Sequence, residues 1–452
     1  MNNPSHSSEA SMHLEWLQAA IIEYLDGLES LDAKVFEYNG TSIRSVVEKK
    51  LYFKHLKAQI NPSRKPVNYR SYFGEEVHNS TGVKLRLLGR KVKALAIKNE
   101  VPAIVGVETM AYVSSKKHEL YLDGILKNER HRVRKLSFQP LDGPHLNISK
   151  YSSSFQPDQT KSSTYLFENH FDLLVEYELF KKVFAHSSAK SLVFLEGNSP
   201  QDNLAALCAK QVGIQTICIQ HGWACNIHLA FKNLCVDTFI GWGAKFTDLL
   251  KPHSPKTEFL NLGHPHLIQH LEANQRLDRS ISVIMQGVVG AIDQAAFDAF
   301  NASLFTLIDQ GWHLLIREHP SHPIGDRLKQ ELKRNGAQIV DKNLALRDQL
   351  QQSQYTYTIH SSVGFEALLS GNVVIFGWYN LNVNFYPEIN KDGMAFIIKD
   401  QPSLIELLEE LESDMGRKRL KVVNCIKDNI EDYFASSNTE SRSQILDYIF
   451  SD

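Results

Sequence analysis

Residues 191–220, SLVFLEGNSPQDNLAALCAKQVGIQTICIQ, place two short apolar runs on either side of a helix-length segment. Ser191–Leu195 (SLVFL) and Thr216–Gln220 (TICIQ) lack the polar alternation of a half-exposed strand, so they read as strands buried on both faces. Asp202–Val212 reads as the helix between them, with Gly213 as its C-terminal stop. Strands separated by a crossover of this length pair in parallel, and the stretch predicts a β-α-β unit.

The same alternation continues on the C-terminal side. Asp237–Gly241 reads as a further short strand and Phe246–Leu250 as a short helix, and Glu258–Leu262 leads to a turn at Gly263-His264-Pro265. A second series starts near residue 280. Its expected strands are Ile281–Met285, His313–Arg317, Gln338–Val340, Tyr355–Ile359 and Val373–Phe376. Helices at Gln294–Gln310, Arg327–Asn335, Leu344–Gln351 and Val363–Leu369 separate them, and 403–411 and 417–435 close the chain. Two such series predict an α/β protein of two Rossmann-like domains facing across a cleft. The expected division is 1–275, the acceptor side with a helical N-terminal extension, and 276–452, the nucleotide-sugar side with closing helices.

On the N-terminal side the pattern is weaker. Phe167–Phe184 reads as one helix and residues 12–35 as another. Val101–Val113 is either a buried helix or a strand followed by a helix, and 140–165, rich in Ser, Pro, Asn and Gln, reads as a long loop.

Composition sets bounds on this reading. The 452 residues carry 43% hydrophobic and 22% charged side chains and a net charge of −2, ordinary for a globular protein. Two basic runs stand out. Lys84, Arg86, Arg90, Lys91, Lys93 and Lys98 fall in a segment without an acid, and a second run spans Lys127 to Lys135. They read as solvated helix faces or as contacts for an anionic acceptor or membrane surface. The five cysteines form no Cys-x-x-Cys pair, which fits reduced thiols and argues against a zinc or dithiol motif. No signal peptide and no apolar run of about 18 residues is visible. The expected location is the cytoplasm, with peripheral inner-membrane contact.

In open parallel sheets ligands bind beyond the carboxyl ends of the strands. The polar residues at those ends are Glu196, His221, Gln286, Arg317-Glu318-His319-Pro320 and His360-Ser361-Ser362. Glu196, before the turn-permitting Gly197, is a candidate general base for an acceptor hydroxyl or a nucleophile in a double displacement. Asp202 is its neighbour, read as a helix cap. His221 is a second candidate at the reaction centre, with Gly222 allowing close backbone approach. His319, directed by Pro320, is a candidate phosphate donor or general acid. Ser361 and Ser362 open a helix that continues through Gly364 and Glu366. That start suits a phosphate or a plain serine cap, and Glu366 a ribose hydroxyl or completion of the cap. His264, His266, His319 and His322 lack a third ligand at metal spacing, so no metal site is expected. Neither a P-loop nor a Gly-x-Ser-x-Gly elbow occurs.

These residues together resemble the bacterial surface-polysaccharide glycosyltransferases of the two-Rossmann (GT-B) type, among them capsule Kdo transferases and polysialyltransferases. Ser361–Gly371 (SSVGFEALLSG) is similar to that family's Ser-x-x-Gly-Phe-Glu-Ala-Leu segment, Arg317–Pro320 to its His-Pro motif, and Glu196-Gly197 to the acidic-Gly motif of sialyltransferase-like enzymes. Leu195 stands where the latter often have a second acid. Gln220-His221-Gly222 and Gly263-His264-Pro265 also resemble segments of sugar-nucleotide 2-epimerases.

The resemblance implies Glu196 as base or nucleophile, His319 as phosphate ligand or acid, and Ser361 and Ser362 as phosphate ligands. Together with the strand-end reading, the expected donor site is Gln286, Arg317, His319, Pro320, Ser361, Ser362, Gly364 and Glu366, with His221 beside Glu196 at the reaction centre. The implied substrate is a nucleotide-sugar, a CMP-activated acidic sugar before a UDP-sugar, with an oligosaccharide, polysaccharide or glycolipid acceptor. No tightly bound cofactor and no nucleic-acid partner are expected. Three alternatives stay open: a UDP-sugar 2-epimerase, a CDP-polyol phosphotransferase, and a non-catalytic glycan- or nucleotide-binding module.

Overall fold

The computed structural model describes residues 7–59, 100–222, 229–266, 276–288, 292, 294–320, 322–379, 389–413, 417–436 and 438–451. The basic stretch 84–98, Gly290 and Cys225 lie outside them, as does part of the expected boundary at 270–280.

Thirteen described strands build two parallel sheets. The first holds β1 (Thr109–Tyr112), β2 (Val133–Ser137), β3 (Leu146–Asn147), β4 (Ser191–Leu195), β5 (Gln215–Ile219), β6 (Thr238–Gly241) and β7 (Glu258–Asn261). Their spatial order is β3-β2-β1-β4-β5-β6-β7. The second holds β8 (Ser280–Ile284), β9 (His313–Arg317), β10 (Gln338–Ile339), β11 (Tyr355–Thr358), β12 (Val373–Gly377) and β13 (Ala395–Ile398), in the order β10-β9-β8-β11-β12-β13. Each sheet therefore starts at an inner strand, winds outward, returns and winds the other way. That is doubly wound topology, and it opens a crevice where the direction reverses, at β1/β4 and at β8/β11. The expected fold class is the one observed. A small antiparallel pair, Glu37–Tyr38 with Thr41–Ser42, belongs to the N-terminal extension.

The parallel strands are buried on both faces because helices cover them. Helix Phe171–Ala185 and helix Pro200–Gln211 pack on one face of the first sheet, burying Tyr177, Phe180 and Leu204 among Leu192 and Phe194. The start of the latter is fixed by a capping box. The Ser199 hydroxyl accepts from Asp202 N at 3.0 Å, and the Ser199 N–H donates to the Asp202 carboxylate at 3.3 Å. Asp202 is thus a helix cap, as expected.

The other face of the first sheet is covered from the far end of the chain. Ile445 and Ile449 of helix Asn438–Phe450 join Val193, Leu195, Ile217 and Ile240 in one cluster. That helix, which lies beyond the two closing helices expected at 403–411 and 417–435, returns to the first sheet. Tyr433 and Phe434, just before the return, pack on Phe246 and Trp242 from the first unit and on Phe365 from the second. A Cβ on Gly243 would lie 2.5 Å from the Tyr433 carbonyl carbon, so only glycine admits this approach of backbone to backbone.

Three other expectations need correction. Phe167–Phe184 is two helices, Thr164–Asn169 and Phe171–Ala185, broken at His170. The loop expected over 140–165 contains β3 and two 3₁₀ turns, at Ile148–Ser154 and Gln159–Lys161. The basic run 127–135 is not a helix face but a 3₁₀ turn leading into β2. Its charges are partly spent on the fold. Arg132 pairs with Glu108 and Glu129, and Lys135, its side chain only 12% exposed, pairs with Glu119 and Asp123. Among the described residues no helix is long and apolar enough to cross a membrane.

Candidate active site

At the crevice of the first sheet, three neighbouring strands deliver ionisable side chains. Beyond β4 the chain turns through two left-handed residues, Glu196 at φ 63° and Gly197 at φ 62°. For glutamate that conformation costs about 1–3 kcal/mol. Asn203 Nδ2 holds the turn by donating to Gly197 O at 2.8 Å. Beyond β5, Gln220 is locked on both sides. Its Oε1 accepts from Trp242 N at 2.9 Å, and its carbonyl accepts from Trp242 Nε1 and Tyr121 Oη, both at 3.1 Å. This fixes the next residue, and His221 Nδ1 lies 3.0 Å from Glu196 Oε1. The His221 side chain is 5% exposed and that of Glu196 31%, so the carboxylate faces the opening. Gly222 keeps this side clear, because a Cβ there would come within 3.3 Å of Glu196 Oε1.

The third group comes from β1. Ser115 caps helix Lys116–Leu126, and His118 in its first turn sits 4.9 Å, ring to ring, from His221. Ser114 Oγ holds His118 Nδ1 at 2.7 Å. Burial drives the His118 imidazole down to about 4, so it is neutral near pH 7. Burial opposes ionisation of Glu196, but the His221 hydrogen bond, with His221, His118 and Lys117 nearby, outweighs it and holds the carboxyl below its ordinary range. Tyr121 of the same helix packs its ring on His221, His264 and His266. The Gly263–His266 turn is therefore part of the wall behind the site.

The second crevice is built differently. Gln286 Nε2 donates to His360 Nδ1 at 2.7 Å, and His360 N donates to Gln286 Oε1 at 2.7 Å. This pair ties the ends of β8 and β11 together across the point where the winding reverses. Arg317 donates to Gln349 Oε1 at 2.7 Å and to Leu344 O at 2.6 Å. The His319 and His322 Nδ1 atoms are 3.2 Å apart, and Pro320 is exposed between them. Burial, with His322 and Lys117 nearby, lowers the His319 imidazole below its usual range. Ser361 Oγ accepts from Val363 N at 3.2 Å, while Ser362 makes no capping bond. Gly364 serves packing, since a Cβ there would lie 2.7 Å from Phe376 Cζ. Burial pushes the Glu366 carboxyl up to about 7 against the charges of Arg317 and Lys117.

Lys117 relates the two crevices. Its charge acts on Glu196 and His118 from the first sheet and on His319 and Glu366 from the second. Tyr121 likewise feels both Glu196 and Glu366. Glu196 and His221 are in direct contact, and His319, Arg317 and Glu366 stand on the opposite bank. Gln286 is tied to His360 at the end of β11, and Ser361 to its own turn. His118, Lys117 and Tyr121 are missed by the sequence reading, although the rule of polar residues beyond an apolar strand would have found the Ser114–His118 segment had β1 been recognised.

Two doubly wound sheets meeting at one gap define a GT-B-type architecture. No protein-family model matches the chain, and no curated protein matches it in sequence. Solved structures do. UDP-GlcNAc 2-epimerase from Neisseria meningitidis bound to UDP-GlcNAc superposes at a TM-score of 0.51 and 11% identity, over 76% of this chain and 100% of that one. The S. aureus MnaA-UDP co-structure gives 0.50 and 10%, over 76% and 96%. The wall teichoic acid polymerase TagF gives 0.47 and 14%, over 82% and 96%. At these identities the epimerase likenesses establish the fold.

Proposed function

We propose that the chain acts on a nucleotide-activated sugar held in the gap and transfers the glycosyl group to an acceptor hydroxyl. The observation that carries this reading is the Glu196–His221 pair, 3.0 Å apart beyond adjacent strands, on the bank opposite Arg317, His319 and Glu366. An ionised carboxylate in hydrogen-bond contact with an imidazole is a competent proton acceptor. In the step, the acceptor oxygen bonds to the anomeric carbon, its proton passes to Glu196, and the bond from that carbon to the donor phosphate breaks. The departing phosphate gains charge; Arg317 and Lys117 are the cations placed to meet it, and His319 can donate a hydrogen bond to it. Glu366, protonated over part of the neutral range, can donate to as well as accept from a sugar or ribose hydroxyl.

The nucleotide is left between two classes. The Ser361–Gly371 resemblance favours CMP-sugars, whereas the structurally similar epimerases carry UDP or UDP-GlcNAc. A thermal-shift screen of CMP, UDP, GDP and CDP decides, because a ligand raises the melting temperature only when it binds the folded state. No shift with any of them contradicts the reading.

One alternative has its own support. The superposed structures include a UDP-GlcNAc 2-epimerase bound to UDP-GlcNAc, and a carboxylate–imidazole pair can also exchange a carbon-bound proton. Turnover of a lone UDP-sugar in D₂O with deuterium entering the product would favour epimerisation. Strict dependence on an acceptor favours transfer.

A further inference from the structure

We propose that His118, Glu196 and His221 bind one transition-metal dication, Zn²⁺ foremost. A ligand atom from each of the three lies within 4.8 Å of the other two, and they are the one such group among the described residues. They come from three adjacent strand ends, β1, β4 and β5, so the sheet itself sets their spacing. Two imidazoles and one carboxylate form a donor set that suits zinc and its neighbours and disfavours Mg²⁺ and Ca²⁺, which take oxygen ligands.

The surroundings are those of a metal-binding histidine. Ser114 Oγ holds His118 Nδ1 at 2.7 Å, leaving Nε2 as the coordinating atom and fixing the ring's direction. Gly222 adds no side chain against Glu196 Oε1, where a Cβ would lie at 3.3 Å, and three protein ligands leave the fourth position of a tetrahedral zinc for an exchangeable group. The His319–His322 pair on the opposite bank brings two nitrogens to 3.2 Å but, among the described residues, no third ligand, and serves as the internal control.

The binding claim is independent of the sugar reading. Its consequence rests on that reading: a metal on Glu196 and His221 takes the lone pairs that would accept the acceptor's proton, so zinc inhibits transfer.

Chelator-treated full-length chain, free of any nucleotide, is titrated with ZnCl₂ by calorimetry and with Co²⁺ by visible absorption. The expected result is one Zn²⁺ per chain. Affinity falls about 100-fold in His118→Ala and in Glu196→Gln, falls about 10- to 100-fold in Ser114→Ala, and is unchanged in His322→Ala. Near-ultraviolet circular dichroism verifies each variant's fold, and His118→Gln replaces His118→Ala if the latter unfolds. Absence of saturable binding, binding indifferent to His118 and Glu196, or binding lost in His322→Ala overturns the proposal. None of these outcomes depends on turnover, so failure here leaves the glycosyl-transfer reading to its own test.

Discussion

The two crevices are built on the same winding but used differently. In the first, the side chains beyond the strands turn toward one another and toward the opening: Glu196 onto His221, with His118 alongside. In the second, the corresponding groups spend their hydrogen bonds on the fold. Gln286 is committed to His360, Arg317 to Gln349 and Leu344, and Ser361 to its own turn. A bank that must change protonation keeps its groups coupled and reachable. A bank that must present a fixed surface locks them. On the proposed function, the first crevice would carry proton transfer and the second would recognise the nucleotide.

The sharpest way to break this comparison is to remove the carboxylate. Glu196→Gln is expected to lower turnover about 10²- to 10⁴-fold while nucleotide affinity stays near that of the parent. Steady-state kinetics beside a binding titration would reveal the split. His319→Ala, on the other bank, is expected to lose about 100-fold in turnover together with nucleotide affinity, and near-normal turnover would remove His319 from the site.

The junction between the units can be tested by stability. Gly243→Ala forces a Cβ into the Tyr433 backbone and is expected to cost about 1–3 kcal/mol in denaturant unfolding, with the loss of contact between the units visible in Trp242 fluorescence.

The Glu366 carboxyl gives a pH signature. Its folded value near 7 lies above the ordinary value of 4.5. Between these two values the folded chain holds a proton that the unfolded chain has lost, so this group's contribution to stability falls as pH rises from 4.5 to 7 and is constant beyond. Glu366→Gln mimics the protonated form. Its melting temperature relative to the parent should therefore rise from pH 4.5 to pH 7 and then level off, and a pH-independent difference would contradict the assignment. The smallest effect is expected at the exposed charges before β2. Lys127→Ala and Arg130→Ala should each change stability by less than about 0.5 kcal/mol, in contrast to the largely covered, doubly paired Lys135.

What the sequence revealed follows from burial. β4, β5, β8, β9, β11 and β12 are covered on both faces over most of their length, so each reads as a short run of apolar, β-branched or aromatic residues without charged residues in its interior. Three of the strand-end candidates, Glu196, His221 and His319, were legible for that reason. β2 was hidden because its Arg134 and Lys135 carry charge, and the pairing that buries Lys135 comes from Glu119 and Asp123 in a separate helix. β1 is only four residues, Thr109–Tyr112, with one Met and one Ala, too short to separate strand from helix by periodicity. Missing β1 meant missing His118 and Lys117. The return of helix Asn438–Phe450 to the first sheet is a tertiary choice that its local pattern cannot express. Gly364, in a segment read as a phosphate site, proves to be a packing position against Phe376.

The division of labour between the crevices is tested most directly by calorimetric titration of the nucleotide that gives the largest thermal shift into the parent chain, Glu196→Gln and His319→Ala. The account predicts parent-like affinity for Glu196→Gln and a loss of at least about tenfold for His319→Ala, the scale of one charge-assisted hydrogen bond. Loss of binding in Glu196→Gln with full binding in His319→Ala would reverse the roles of the two banks and contradict it.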